Sequence, residues 1–213
     1  HSGCTLNAQV GEGKFPLYVY SHGFGGNMDM ASYFMRQIAC QGIVVVAVEH
    51  TDGSASRTVL ENGEELMFGN GFQSQRGQLE RRGAELLAAS KKENLPAELS
   101  DSIDWSSRFV GGHSYGGPAA LAAAQLDRSI YSALILHDPA LAMTAEPFRG
   151  AVEQPIISFV SDEYNSVGVT CGMTFHAVGS KHGNFVDAAL WAPPWVMRPL
   201  SIVIPAAGPV APE

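Results

Sequence analysis

The features that this sequence lacks exclude several classes of protein. It has only three cysteines, at Cys4, Cys40 and Cys171, too few and too scattered for a disulfide scaffold or a zinc site. A single disulfide would leave one thiol over. No apolar run approaches the length of about 18 residues that a membrane-spanning helix needs, so no transmembrane segment is expected. No internal repeat is present, and the glycines follow no collagen-like period.

Charge of either sign is scarce, and positive charge is the scarcer. Charged residues make up 16% of the 213 residues, against about 25% in an average globular chain. Thirteen Lys and Arg face 21 Asp and Glu, which gives a net charge of −8. The basic residues are scattered, so binding to nucleic acid is not expected. The 46% of hydrophobic residues excludes disorder and is ample for a core.

The length predicts a single domain, at roughly 150 residues per domain. Within residues 1–213 we expect a lead-in over residues 1–14 and a Pro/Ala-rich tail over residues 191–213. The tail begins at Trp191, and it either packs over the core or forms an apolar patch that contacts lipid or a bulky substrate. The chain starts at His1 rather than Met, so we expect processing or trimming. Secreted and cytoplasmic locations both stay open, and the sequence predicts no oligomeric state.

Strand-like and helix-like patterns alternate along the chain. Short apolar or β-branched runs predict six strands, at residues 17–20, 43–48, 109–110, 133–136, 156–160 and 173–178. Helical spacing predicts helices within residues 28–41, 75–92 and 115–126, while the polar, Gly-rich residues 51–73 predict an excursion over the sheet. The alternation predicts an α/β fold with a doubly wound, mostly parallel sheet of about six strands.

One motif carries the chemistry. Gly112-His113-Ser114-Tyr115-Gly116 follows a predicted strand and opens a predicted helix, the setting of a nucleophile elbow. The glycines leave room for a strained serine between them. We therefore predict that Ser114 is a catalytic nucleophile.

A serine hydroxyl needs a base, and three histidines follow Ser114. His137 leaves only Asp127, at a helix end, as an acid between itself and Ser114. His176 lies within a strand pattern, where a histidine with a structural role is expected. His182 lies in a Gly-rich loop after the last strand, free to reach the elbow. We predict His182 as the base.

The acid has two candidates on the residues alone. Asp138 and Asp162 each directly follow a predicted strand, so both belong at the edge of the sheet where parallel strands end. The common α/β-hydrolase arrangement favours Asp162.

The segment His22-Gly23-Phe24-Gly25-Gly26 follows the first strand, where such enzymes build half of an oxyanion hole. We expect the N–H groups of Phe24 and Tyr115 to be the donors. The candidate substrate-binding residues are His22, Gly23, His113 and Trp191. The sequence predicts neither a metal ion nor a cofactor, because the remaining histidines show no ligand spacing.

These motifs together resemble the platelet-activating-factor acetylhydrolases of the plasma and cytosolic α/β-hydrolase type. The resemblance covers residues 17–190 and rests on four segments, of which the second is the most specific because the hydrolase fold in general has no need of it. The segments are Tyr20-Ser21-His22-Gly23-Phe24-Gly25, Val48-Glu49-His50-Thr51-Asp52-Gly53-Ser54-Ala55-Ser56, Gly112-His113-Ser114-Tyr115-Gly116-Gly117 and Gly179-Ser180-Lys181-His182-Gly183-Asn184-Phe185.

The resemblance implies a function and selects an acid. It implies Asp138 rather than Asp162 as the triad acid, and calcium-independent cleavage of short or oxidised acyl chains from phospholipids. Members of the family carry strands and helices before the segment that begins here at Phe15, and a helix after the segment that ends at Glu213. We expect both to be missing from this chain.

The resulting prediction is a serine ester hydrolase that acts on short-chain acyl esters of small molecules or lipids through an acyl-enzyme. The alternatives are a polyester or cutin hydrolase or a broad carboxylesterase, because an open cleft without a lid admits polymers. A more remote alternative is a catalytically silent binding module with a hydrolase fold. The intact Ser114, His182 and aspartate pattern argues against that alternative.

Overall fold

The computed structural model describes residues 5–69, 74–144, 152–167 and 172–187. The tail over residues 191–213, with Trp191, lies outside these ranges, as do Cys4 and Cys171. Cys40 is an exposed free thiol. Within the described ranges, no helix is both long and apolar enough to span a bilayer.

A six-stranded parallel sheet forms the centre of the molecule, in the order β2-β1-β5-β6-β7-β8. Its strands are β1 (Phe15–Ser21), β2 (Val44–Val48), β5 (Ile103–His113), β6 (Ala133–His137), β7 (Ile156–Val160) and β8 (Met173–His176). All six correspond to predicted strands, so the predicted doubly wound α/β sheet is confirmed. The fold is that of the α/β-hydrolases.

The remaining elements cover the two faces of this sheet and its edge. They are α1 (Ser32–Ala39), β3 (Arg57–Val59), β4 (Glu65–Met67), α2 (Gln75–Ala89), α3 (Ala97–Asp101), α4 (Gly116–Leu126) and α5 (Asp162–Val167), with short 3-10 turns at Lys92–Asn94, Leu141–Met143 and His182–Phe185. The β3 and β4 strands form an antiparallel pair within the predicted excursion. Neither this pair nor α5 was expected.

The inner strands of the sheet are covered on both faces, which explains their nearly continuous apolar sequences, whereas the edge strand β8 is largely exposed. Residues such as Leu17 and Val19 pack in the larger core on the α2 and α4 side. Their neighbours Tyr18 and Tyr20 pack with Met35 of α1 on the other side. Because parallel strands end at one edge, this arrangement brings the loops after β1, β5, β6 and β7 together.

Candidate active site

Ser114 lies at the sharp turn between β5 and α4. Its φ of 55° is in the left-handed region that non-glycine residues rarely adopt. The Ser114 N–H donates to the carbonyl of His137 over 2.9 Å, and its own carbonyl accepts from the N–H of Gly117 over 3.0 Å. The strained turn is therefore held by the backbone of the neighbouring β6 strand and by the first turn of α4.

The two glycines of the motif leave room for the end of β1. A Cβ atom on Gly112 would come 2.5 Å from the Ser21 carbonyl oxygen, and one on Gly116 would overlap the same atom. Any side chain at either position would therefore push β1 away from the turn. The sequence analysis predicted that the turn leaves no room for side chains at these two positions, and the structure identifies Ser21 of β1 as the residue they would meet.

His182 and Asp138 pair beside this turn. The Nδ1 atom of His182 lies 3.1 Å from Oδ2 of Asp138. Asp138 is fully buried directly after β6, with a φ of 42°. Its carboxylate also accepts hydrogen bonds from Ser161, through the N–H over 2.5 Å and the hydroxyl over 2.6 Å. Ser161 thus fixes the orientation of the carboxylate toward His182.

The imidazole of His182 lies between two other rings. The Tyr164 ring stacks on it at 4.5 Å with an interplanar angle of 3°, and the His113 ring lies 4.4 Å from it. The His113 Nε2 atom is 3.1 Å from the His182 carbonyl oxygen, to which it donates. Burial, followed by the nearby histidines, lowers the pKa of His113 well below its usual range, so this ring stays neutral.

The Tyr164 hydroxyl also reaches the nucleophile. It interacts with the Ser114 side chain, which lowers the phenol's pKa, but burial has the larger effect and leaves that pKa raised. Tyr164 is therefore a neutral phenol that contacts both Ser114 and His182. The sequence analysis assigned it no role, because only the tertiary fold brings α5 to the elbow.

Asp162, the alternative acid, pairs with a different histidine. Its Oδ1 atom lies 2.7 Å from Nε2 of His176, and its carboxylate accepts from the N–H of Gly179 over 3.1 and 3.2 Å. These bonds hold its pKa below the usual range. Asp162 therefore anchors the turn that precedes His182, while the His182 ring itself faces Asp138.

The loop over residues 22–26 was predicted to supply half of an oxyanion hole, so we name it the oxyanion loop, and it lies against the elbow. A Cβ atom on Gly23 would come 3.1 Å from the Cβ atom of Ser114. The half-exposed Phe24 ring meets the Tyr115 ring edge-on, with centroids 5.5 Å apart. Gly23 of the loop thus lies directly against Ser114, and the side chains of the residues that follow Gly23 and Ser114 contact each other.

The residues expected to contact substrate are mostly covered. His22 is 1% exposed and His113 is also buried, and each ring bonds to the protein backbone. Both side chains thus hold loops of the site in place, and their contact with substrate stays a prediction. Gly23 is buried against Ser114, and Trp191 lies outside the described residues.

A buried arginine beneath the oxyanion loop was not anticipated. Arg82 of α2 has no exposed surface and pairs with Asp52, its Nε atom 2.9 Å from Oδ2. It also donates to the His22 carbonyl over 2.7 Å, and its guanidinium lies 5.1 Å from the centroid of the Tyr115 ring. Burial lowers the pKa of Arg82, an effect that Asp52 opposes. The pair stabilises the base of the loop.

No group of three or more His, Cys, Asp or Glu side chains suited to a metal ion occurs in the part of the chain that the structure describes. The groups that the structure places around the elbow are a serine hydroxyl, an imidazole and a buried carboxylate.

The fold and the elbow define an α/β-hydrolase, and comparison with solved structures agrees. A ferulic acid esterase from Streptomyces cinnamoneus superimposes with a TM-score of 0.68 at 22% identity, covering 90% of this chain and 58% of that one. This likeness supports the fold.

The family resemblance is confirmed by sequence comparison. The family model described as platelet-activating factor acetylhydrolase, isoform II, matches residues 2–70. The platelet-activating factor acetylhydrolase of Cavia porcellus is 27% identical over 213 aligned residues, covering 82% of this chain and 49% of the relative. That of Bos taurus is 27% identical, covering 86% and 50%. The chain therefore spans about half the length of the curated relatives it matches.

Proposed function

We propose that this protein is a serine ester hydrolase that cleaves short-chain acyl esters through an acyl-enzyme. The observation that carries the proposal is the contact between His182 and the buried Asp138 beside the strained Ser114. A structural serine turn needs neither this pair nor positive φ values at both Ser114 and Asp138. The names of the family relatives and of the structural neighbour, all of them ester hydrolases, support the same class of reaction.

In the proposed reaction, the Ser114 hydroxyl oxygen attacks the ester carbonyl carbon while Nε2 of His182 takes up the hydroxyl proton. Asp138 accepts a hydrogen bond from Nδ1–H of His182 and stabilises the imidazolium that forms. The N–H groups of Phe24 and Tyr115 donate to the oxyanion. Collapse of the tetrahedral intermediate breaks the ester bond, and the imidazolium returns the proton to the departing alkoxide. Water, deprotonated by His182, then releases the acid from Ser114.

Short acyl chains are the proposed substrate class, and the support for them is the resemblance to the acetylhydrolases. The Tyr115 ring, next to the elbow, is buried against Arg82. Phe24 is the aromatic side chain of the oxyanion loop with exposed surface. We therefore propose that Phe24 contacts the acyl chain.

The experiment compares hydrolysis of chromogenic esters by the protein and by Ser114→Ala. We expect hydrolysis of the acetate ester, with a decrease in turnover of several orders of magnitude in the variant. Acetate to butyrate esters should react faster than esters of about 12 carbons, which a lipase would prefer. Equal turnover by Ser114→Ala would contradict the proposed function. A preference for the long chains would contradict only the proposed substrate class.

A further inference from the structure

We propose that His22 and Glu49 form a positioning pair that aims the Phe24 N–H into the oxyanion hole. The inference deepens the proposed function and rests on it. It also gives a role to the segment 48–56, which carries the most specific part of the family resemblance but supplies none of the reacting groups. The direction of the Phe24 N–H depends on that of the Gly23 carbonyl, which belongs to the same peptide group.

The carbonyl of Gly23 is held by two hydrogen bonds. It accepts from Nδ1 of His22 over 2.7 Å and from the N–H of Gly26 over 3.1 Å. In a trans peptide, the carbonyl and the following N–H point in opposite directions, so fixing the Gly23 carbonyl also fixes the Phe24 N–H. This peptide lies directly against Ser114. A rotation of the plane would therefore turn the donor away from the reacting carbonyl.

Both nitrogen atoms of the His22 ring face oxygen atoms of the protein. A carbonyl oxygen only accepts, so Nδ1 carries a hydrogen atom and donates it to the Gly23 carbonyl. The Nε2 atom, on the other side of the ring, lies 3.1 Å from Oε1 of Glu49, within ion-pair distance. Glu49 therefore lies against the nitrogen opposite the one that holds the Gly23 carbonyl. The other charged or titratable groups that face the ring are Arg82 and His50.

The segment that contains Glu49 also holds the loop at other points. The second carboxylate oxygen of Glu49 accepts from the N–H of Met28 over 3.2 Å. The carbonyl of Ser54 accepts from the N–H of Gly25 over 2.7 Å, and the N–H of Ser56 donates to the carbonyl of Gly26 over 2.6 Å. Segment 48–56 thus forms a scaffold for the oxyanion loop, and Glu49 connects that scaffold to the Gly23 carbonyl through His22.

A second histidine–glutamate pair provides a matched control. Nδ1 of His50 lies 2.7 Å from Oε2 of Glu85, whose side chain is 22% exposed, against 20% for Glu49. The other nitrogen of His50 lies 2.8 Å from the hydroxyl of Ser21 in β1, not from a carbonyl of the loop. Each glutamate contacts a buried histidine, but only His22 reaches the Gly23 carbonyl.

The test measures kcat and KM for a chromogenic acetate ester, together with inhibition by a trifluoromethyl ketone. The tetrahedral adduct of this inhibitor places its oxyanion in the hole. Removing a whole oxyanion donor costs about 100- to 1000-fold in kcat, so a misaligned donor should cost less. We expect Glu49→Gln to lower kcat about tenfold with KM within about twofold, and to weaken ketone inhibition by a similar factor. Glu85→Gln should leave both within about twofold.

Substitutions at His22 test the same contact without altering Glu49. His22→Leu removes the donor and should lower kcat about 100-fold, while His22→Asn keeps an N–H near the position of Nδ1 and should restore about a tenth or more of wild-type kcat. Should Glu49→Gln fail to fold, the comparison of these two variants decides the question.

The inference is overturned if Glu49→Gln and Glu85→Gln change kcat and ketone inhibition equally, or if His22→Asn is no more active than His22→Leu. These outcomes are distinct from failure of the proposed function, in which the wild-type protein would not hydrolyse the ester at all.

Discussion

Two aspartates follow neighbouring strands, and each pairs with a histidine, but their surroundings differ. Asp138 follows β6 and contacts His182 at 3.1 Å, whereas Asp162 follows β7 and contacts His176 at 2.7 Å. The Asp138 side chain is completely buried, and that of Asp162 is 44% exposed. The shorter contact thus lies on the surface, away from the nucleophile. Distance to a histidine alone does not distinguish a catalytic acid from a structural one.

The backbone around each aspartate separates their roles. The carbonyl of His137, next to Asp138, accepts from the N–H of Ser114, so this acid and the nucleophile share one rigid unit. Asp162 instead bonds the turn before His182, through its carboxylate to Gly179 and through its N–H to the carbonyl of Ser180. We infer that Asp138 orients the base and that Asp162 holds the turn that carries it.

The largest expected effect comes from exchanging these carboxylates for amides. Asp138→Asn should lower kcat for an acetate ester about 10⁴-fold, because the imidazole loses its correct tautomer and the stabilisation of its cation. Asp162→Asn keeps a hydrogen-bonding group at an exposed site and should retain at least about a fifth of the activity. Circular dichroism of both variants controls for folding. The reverse order of activities would make Asp162 the acid.

Protonation of the buried His137, the residue before Asp138, should destabilise the protein in acid. Burial lowers the pKa of His137 to about 4, below that of an unfolded histidine. The unfolded chain therefore takes up this proton first, and the free energy of unfolding falls as the pH drops from about 6.5 to about 4. One such histidine contributes a slope of about 1.4 kcal/mol per pH unit.

His137→Phe should remove that slope, since a phenyl ring can keep the stacking on Phe159 and Phe185 but takes up no proton. Urea unfolding at several pH values measures the effect. The matched variant His176→Gln should keep the full slope. His50 and His113, whose pKa values are also lowered by burial, should contribute to the slope in both variants. An unchanged slope in His137→Phe would show that the ring is protonated in the folded protein.

The smallest expected effects concern Tyr164, which lies in the helix that begins at Asp162 and contacts His182. Its ring stacks on His182, an interaction worth about 0.5–1.5 kcal/mol, so Tyr164→Ala should lower kcat about tenfold. Tyr164→Phe keeps the ring and loses the hydroxyl beside Ser114, and we expect a decrease of about two- to threefold. If Tyr164→Ala retains full kcat, the stack does not hold the base.

The fold was largely predictable because buried parallel strands have a simple sequence signature. Residues 43–48 are apolar throughout and residues 156–160 are apolar except for the buried Ser158, because both faces of these strands are covered. The antiparallel pair β3 and β4 was missed because each strand has only three residues, Arg-Thr-Val and Glu-Leu-Met, too few to show an apolar run. Strand β5 begins at Ile103, whereas the prediction began it near Arg108. Its first half was missed because it is mostly polar and pairs little with β1.

The candidate catalytic residues could also be predicted from short sequence segments, whereas the residues that hold them in place could not. The motif around Ser114 and the loop around His182 are short segments with fixed spacing. Arg82 lies on the buried face of α2, between Leu79 and Leu86. A charged residue in a helix normally indicates a solvent-exposed position, so its burial could not be predicted from the sequence. Its partners, Asp52 and the His22 carbonyl, offset the cost of burying its charge. Asp52 lies thirty positions away in the sequence, and a contact at that distance leaves no local pattern.

The most direct test of the account is covalent labelling with an organophosphonate, followed by peptide mass spectrometry. The elbow predicts one adduct, on Ser114, and none in Ser114→Ala. The competing site is Ser21, whose hydroxyl lies 2.8 Å from Nε2 of His50 but is fully buried. A single adduct on Ser114 is the result we predict, and an adduct on Ser21 or any other serine would contradict the assignment of the nucleophile.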